Sequence, residues 1–181
     1  MIRLLLWLLG GALLGGIVHL ATVLMLPTLA AQDAYSRLAP ISPVNSVAAI
    51  PSPTPEKAAM PFMDPAFAVA VCRYDLTNGP LKFSVPVSQA YTSVSFYTRS
   101  DIAYYAINDR AAGRRVIELD LMTTQQRNEL PDDEEVTAAD RLIVESPTAT
   151  GLILIRALSP EPGLMSMARR ALASAQCRPQ S

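Results

Sequence analysis

The 181-residue chain has one histidine, two cysteines and only two lysines, Lys57 and Lys82. Two distant cysteines and one histidine do not make an ordinary zinc site, so no metal ligand is assigned. Aromatic residues make up 6 % of the chain and the formal net charge is −1. A nucleic-acid binder would show a basic face and stacking rings, and that class is excluded. The sole histidine, His19, lies near the N-terminus, which leaves the remainder without an imidazole base. There is no G-x-S-x-G elbow and no glycine loop for a phosphate, so no catalytic or cofactor-binding residue is assigned. The length allows one compact domain plus an appendage.

What is abundant is apolar sequence at the start. Leu4 to Leu26 contains no charged residue. As a helix this run would reach roughly 35 Å, enough to cross a hydrocarbon core of about 30 Å. Trp7 near one end suits the interfacial belt. The competing reading is a cleaved secretory signal, with small residues at Thr28-Leu29-Ala30 and Leu29-Ala30-Ala31, but signal cores are shorter than this run. A retained anchor spanning 1–30 is therefore expected. The α-amino group and Arg3 before it, against Arg37 after it, favour a cytoplasmic N-terminus and a periplasmic or otherwise extracytoplasmic body. Gly11 and Gly15 form a small-xxx-small pair that would let two helices approach, although glycine is common in any membrane helix. His19 has no ionisable partner within the run, and a neutral imidazole bonded locally is the simpler reading.

Seven prolines fall between Leu38 and Pro65. Each fixes φ and removes a donor, so 31–65 reads as a semi-rigid extended tether, with Val47 to Ile50 as a candidate edge strand. Beyond it, 66–181 reads as a mainly β domain, a sandwich or partly open barrel of about seven strands with one C-terminal helix. Strands are predicted at Phe67–Tyr74, Leu81–Val85, Thr92–Thr98, Ile102–Ile107, Val116–Leu121, Leu142–Glu145 and Leu152–Leu158. The turns at Leu76–Pro80 and Ser146–Gly151 read as hairpins, and Asp109–Arg114 as a polar turn. Met122 to Leu130 has the propensity for a helical turn or two. The acidic block after Pro131 lacks the alternating spacing of a calcium loop and reads as solvated. Glu161 to Gln176 is predicted helical, with Ser159 as its N-cap and Leu164, Met167, Ala168 and Leu172 on one face.

Cys72 falls in the first core strand and Cys177 just after the terminal helix. In an exported domain a bridge between them is permitted, and it would pin the helix to the sheet. The alternative is two unrelated thiols. Arg73 and Arg156 each interrupt an apolar strand. A strand arginine either projects its fork of donors into a pocket that takes a carboxylate or phosphate, or lays its stem over neighbours. Arg73, Arg156 and the nearby Asp75 are the candidate ligand-binding residues.

Two stretches carry a family pattern. Tyr74-Asp75-Leu76-Thr77-Asn78-Gly79-Pro80 followed by Val85-Pro86, and Glu145-Ser146-Pro147-Thr148 followed by Leu152 to Leu158, resemble the two motifs of the domain-of-unknown-function family 1254. The resemblance covers about residues 66 to 160. It implies an exported β-rich protein whose domain is often followed by a second β domain of the companion family 1214. The run Phe67 to Cys72 departs from the Asn-Asp-Thr-Leu-Tyr segment usual before the first motif, and the chain ends where a second domain would begin. The expected function is that of a membrane-anchored, non-catalytic envelope protein whose β domain assembles with a partner, such as a separately encoded second half. The alternatives are a hydrolytic or isomerising enzyme subunit completed by a partner, and a carrier of a small anionic ligand.

Overall fold

The structure is a computed structural model that describes residues 1–29, 33–113, 115–130 and 142–180. It divides into two units, Met1–Asp33 and Ala34–Ser181. The first is dominated by helix α1 (Ile2–Leu29), whose stretch Ile2–Leu26 is long and apolar enough to cross a membrane. Gly11 and Gly15 lie one turn apart on it, and a Cβ added at either would meet no other atom.

The second unit opens with the short helix α2 (Ala34–Arg37) and is a sandwich of nine strands among the described residues, with no closed barrel. One sheet has the order β1 (Val47–Ile50), β2 (Phe67–Asp75), β8 (Thr150–Leu158), β4 (Thr92–Thr98), β5 (Ala103–Asn108). The other runs β7 (Leu142–Ser146), β6 (Val116–Thr123), β3 (Leu81–Pro86), β9 (Gln176–Pro179). All neighbours are antiparallel except β6 and β7. Alternation along the strands supplies the core, since successive side chains point to opposite faces. Ala70, Cys72 and Tyr74 on β2 and Ile153 and Ile155 on β8 face Leu81, Phe83 and Val85 on β3 and Leu119 and Leu121 on β6, all of them buried. Phe96 packs edge-on against Phe83 and also meets Tyr104 and Tyr105.

Several expectations need correction. The turns at Leu76–Pro80 and Ser146–Gly151 are arches rather than hairpins, because the strands on either side of each belong to different sheets. Turn chemistry is the same in both cases, and only the pairing distinguishes them. Gly79 still takes a positive φ in the first arch, where its N–H meets the Leu76 carbonyl. Asp109–Ala112 is a short helix α3, capped by the Asn108 side chain and ended by Gly113 at φ +60°. A capping box at Thr123 and Gln126 starts helix α4 (Thr124–Asn128). Gln126 also donates to the Leu76 carbonyl, which ties α4 to the first arch.

The terminal helix is shorter than expected. A 3-10 turn at Pro162–Leu164 leads into α5 (Met165–Ala173), and Ser159 does not cap it. Pro162 imposes the offset by setting the first turn. Ala168 and Leu172 are buried, whereas Leu164 and Met167 are partly exposed. The chain past α5 forms β9, which places Cys177 in a strand opposite Phe83 rather than on a frayed end. Cys72 and Cys177 form a disulfide across the core, joining the two sheets with a Cα separation of 6.5 Å.

The largest revision concerns the proline-rich segment. From Ala34 onward it belongs to the compact unit. Tyr35, Leu38 and Ile50 are buried in a second apolar cluster with Val71 and Leu152. Four of its seven prolines, Pro40, Pro55, Pro61 and Pro65, sit in turns, and its apolar residues fold back onto the sheet instead of spanning a gap. The acidic run at 131–135 lies outside the described residues, as does position 114 at the end of the predicted polar turn.

Candidate functional site

Residues directly opposite one another on neighbouring strands point to the same face of the sheet. The outward face of the five-stranded sheet is therefore fixed by register: Val69, Val71 and Arg73 on β2 lie opposite Arg156, Leu154 and Leu152 on β8. On the far side of β8, Ser93, Ser95 and Tyr97 of β4 lie opposite the same three residues. Val69, Val71, Leu152 and Leu154 thus make an apolar plate with an arginine at each end.

The two arginines are in different situations. Arg73 is covered by the 34–45 segment: its Nη1 donates to the Ser42 carbonyl at 3.1 Å, and its guanidinium lies 4.2 Å from the centre of the Tyr35 ring. Arg99 approaches the same ring at 4.8 Å. Asn45, at φ +54°, completes the attachment. Its side chain donates to the Asp75 carbonyl and accepts the Asp75 N–H, while its own N–H meets the Arg73 carbonyl. Asn tolerates this left-handed conformation better than most residues. Arg73 therefore anchors the covering segment to β2.

Asp75 is also engaged locally. Its carboxylate accepts the Thr77 hydroxyl and N–H, and these bonds hold its pKa below the ordinary value. It shapes the first arch. Arg156 is exposed and has no hydrogen bond or ion pair to any described residue. Arg73 and Arg156 are four residues apart in register, roughly 13 Å along the strands. The structure does not gather Arg73, Asp75 and Arg156 into one site.

Arg156 lines a cavity of about 480 Å³ on this face. Its floor is the apolar plate, one wall is Met60 to Asp64, and Leu38, Tyr97 and Asp101 close the end away from Arg156. Phe62 in that wall is fully exposed at φ +57°, a conformation costly for a bulky residue. Asp64 and Asp101 each already receive a backbone N–H, from Ala66 and Ala34. The run Met60-Pro61-Phe62-Met63 is the sequence signal for this wall, four apolar residues within the segment that reads as a semi-rigid extended tether. Among the described residues no three His, Cys, Asp or Glu side chains cluster to hold a metal.

A separate buried network gives the two motif stretches a structural reason. The Tyr104 hydroxyl donates to Tyr74 Oη, which lies 2.9 Å from Ser146 Oγ and 3.2 Å from the Tyr97 carbonyl, and Ser146 donates to the Thr148 carbonyl. Burial pushes the Tyr104 phenol well above its usual range, so it remains a donor. Gly151 is required here, because a Cβ would run into the Tyr97 carbonyl and the Tyr74 hydroxyl.

Residues 44–179, which contain both motifs and both arches, match the family described as protein of unknown function, DUF1254. The chain belongs to the DUF1254 family. Its fold is similar to that of the VPA0106 protein from Vibrio parahaemolyticus, with a TM-score of 0.61 and 14 % identity over 82 % of this chain and 34 % of that one. An uncharacterized protein from Burkholderia cenocepacia matches with a TM-score of 0.45 and 15 % identity, over 72 % of this chain and 37 % of that one. The DUF1254 chain thus spans about a third of the length of these structures. No curated protein matches it.

Proposed function

We propose that this DUF1254 protein is a single-pass membrane protein whose β domain stands on the extracytoplasmic side and acts by assembling with a partner protein. The observation that carries the reading is the combination of an apolar helix long enough to span a bilayer with a disulfide in the core of the domain. Disulfides persist in oxidising compartments. The basic N-terminus before the helix favours the same orientation. Binding is favoured over turnover because Arg73 and Asp75 are engaged in holding the fold together. The partner best suited is a second β-rich domain of the companion type, since the VPA0106 chain extends well beyond the portion matched here.

Extraction of the full chain from native membranes, followed by light scattering with the detergent contribution subtracted, tests assembly. The expected protein mass exceeds the 19.5 kDa of one chain, with a second polypeptide in the same peak. A peak containing one copy of this chain alone contradicts it.

A further inference from the structure

We infer that the cavity on the outward face of the five-stranded sheet binds a single-chain amphiphile with a carboxylate head, of the fatty-acid class, with the head on Arg156 and the chain along Val69, Leu154 and the wall from Met60 to Met63. The site does not depend on the partner assembly, so either reading can fail alone. A cavity of about 480 Å³ falls within the range of small-molecule sites, which are mostly apolar with a few placed polar groups. Here the apolar part runs from Val69 and Leu154, half-buried on paired strands, to Met60, Pro61 and Met63 of the wall, while Val71 and Leu152 beside them are covered by Tyr35 and Leu38.

The charge pattern selects the head group and its position. Arg156 has no protein partner among the described residues, and its planar fork matches a carboxylate. Ser93, directly opposite it on β4, is buried and does not line the cavity, so Arg156 is the lining cation that lacks an acceptor. At the other end Arg73 is already engaged by the Ser42 carbonyl and the Tyr35 ring and does not line the cavity, whereas Asp101 does, so the head is directed to the Arg156 end. Asp64, nearer that end, turns one carboxylate oxygen back to the Ala66 N–H. Phe62, strained and exposed at the wall, supplies an apolar edge against which a bound chain can lie.

The test uses the full chain in phosphatidylcholine nanodiscs with a palmitic acid that carries a mid-chain diazirine. After photolysis the labelled peptides are mapped by mass spectrometry across a concentration series. Labels are expected on the peptides that hold Val69, Leu154 and Met60 to Met63. Unlabelled palmitate should compete, whereas the alcohol of equal length should compete far less. Arg156→Gln should raise the half-saturating concentration about tenfold, the scale of one charge-assisted hydrogen bond. Arg156 is exposed, so this variant keeps the fold, and an unchanged melting curve checks it. Leu154→Arg should abolish labelling of the same peptides by occupying the floor. Labelling confined to Ile2–Leu26, equal competition by acid and alcohol, or labelling indifferent to either substitution would overturn the proposal.

Discussion

The two faces of the five-stranded sheet are built from the same alternating strands, yet they are finished differently. The inward face is closed by the opposite sheet, a cross-core disulfide and the Tyr74–Ser146 network, and its large side chains are fully buried. The outward face is covered unevenly. Tyr35 and Leu38 cover the end near Arg73, while the end near Arg156, with Ile50 beside Val69, opens into a cavity. Strand alternation alone does not separate a structural arginine from an available one. The chain segment laid over each arginine does.

Substitutions on the two faces should therefore differ in size. The largest loss is expected from removing the disulfide. Its ends are 105 residues apart, and opening so long a loop costs about 2–5 kcal/mol. Denaturant unfolding of the Cys72→Ala, Cys177→Ala double variant measures this, and a loss below about 1 kcal/mol would mean that the inward face is held by packing alone.

Next in size is Gly151→Ala, which forces a methyl group against the Tyr97 carbonyl and the Tyr74 hydroxyl. Overpacking of this kind costs about 1–3 kcal/mol. The same unfolding experiment reads it, with Gly163→Ala as a control at an open position.

On the outward face the two ends can be set against each other. Tyr35→Leu removes the ring beneath two guanidiniums and is expected to cost about 1–2 kcal/mol. Arg156→Gln should change stability by no more than about 0.5 kcal/mol. Equal effects at the two positions would erase the distinction between them.

The smallest effect concerns acid. Hydrogen bonds from Thr77 lower the Asp75 pKa in the folded state, so this group contributes stability above its ordinary value of 3.8. That contribution disappears as the pH falls through the lowered folded value. Asp75→Asn should leave the acid limb of the stability curve shallower while slightly reducing stability at neutral pH. Chemical denaturation across the acid range reads both changes, and an unaltered acid limb would remove Asp75 from the arch's support.

Much of the fold was legible because alternation is a local signal. The strand Thr92–Thr98 falls where the sequence predicts it, and Phe67–Asp75, Leu81–Pro86 and Val116–Thr123 differ from prediction only at one end. Pairing was not legible. The Asn78-Gly79 turn has the composition of a hairpin, yet its flanking strands belong to opposite sheets, a choice set by distant partners such as β8 and β9. Strand β9 was missed because four residues after a helix carry no periodic signal. The covering segment reads as a tether because proline suits turns and extended chain alike, whereas the burial of Tyr35 and Leu38 depends on a surface built more than thirty residues later. The same distance hides the cavity: its place in an apolar strand singles out Arg156, but Met60 to Asp64 line the cavity with it only through folding.

The proposed anchored, oxidised state can be tested by intact-mass measurement on the unreduced chain recovered from washed membranes, with alkylation before any reductant. The expected result is a chain in the membrane fraction that retains Met1 and its apolar helix, is two hydrogens lighter than the reduced form and takes up no alkyl group. Recovery of the intact chain in the aqueous fraction, or of a membrane-bound chain alkylated at both Cys72 and Cys177, would contradict it.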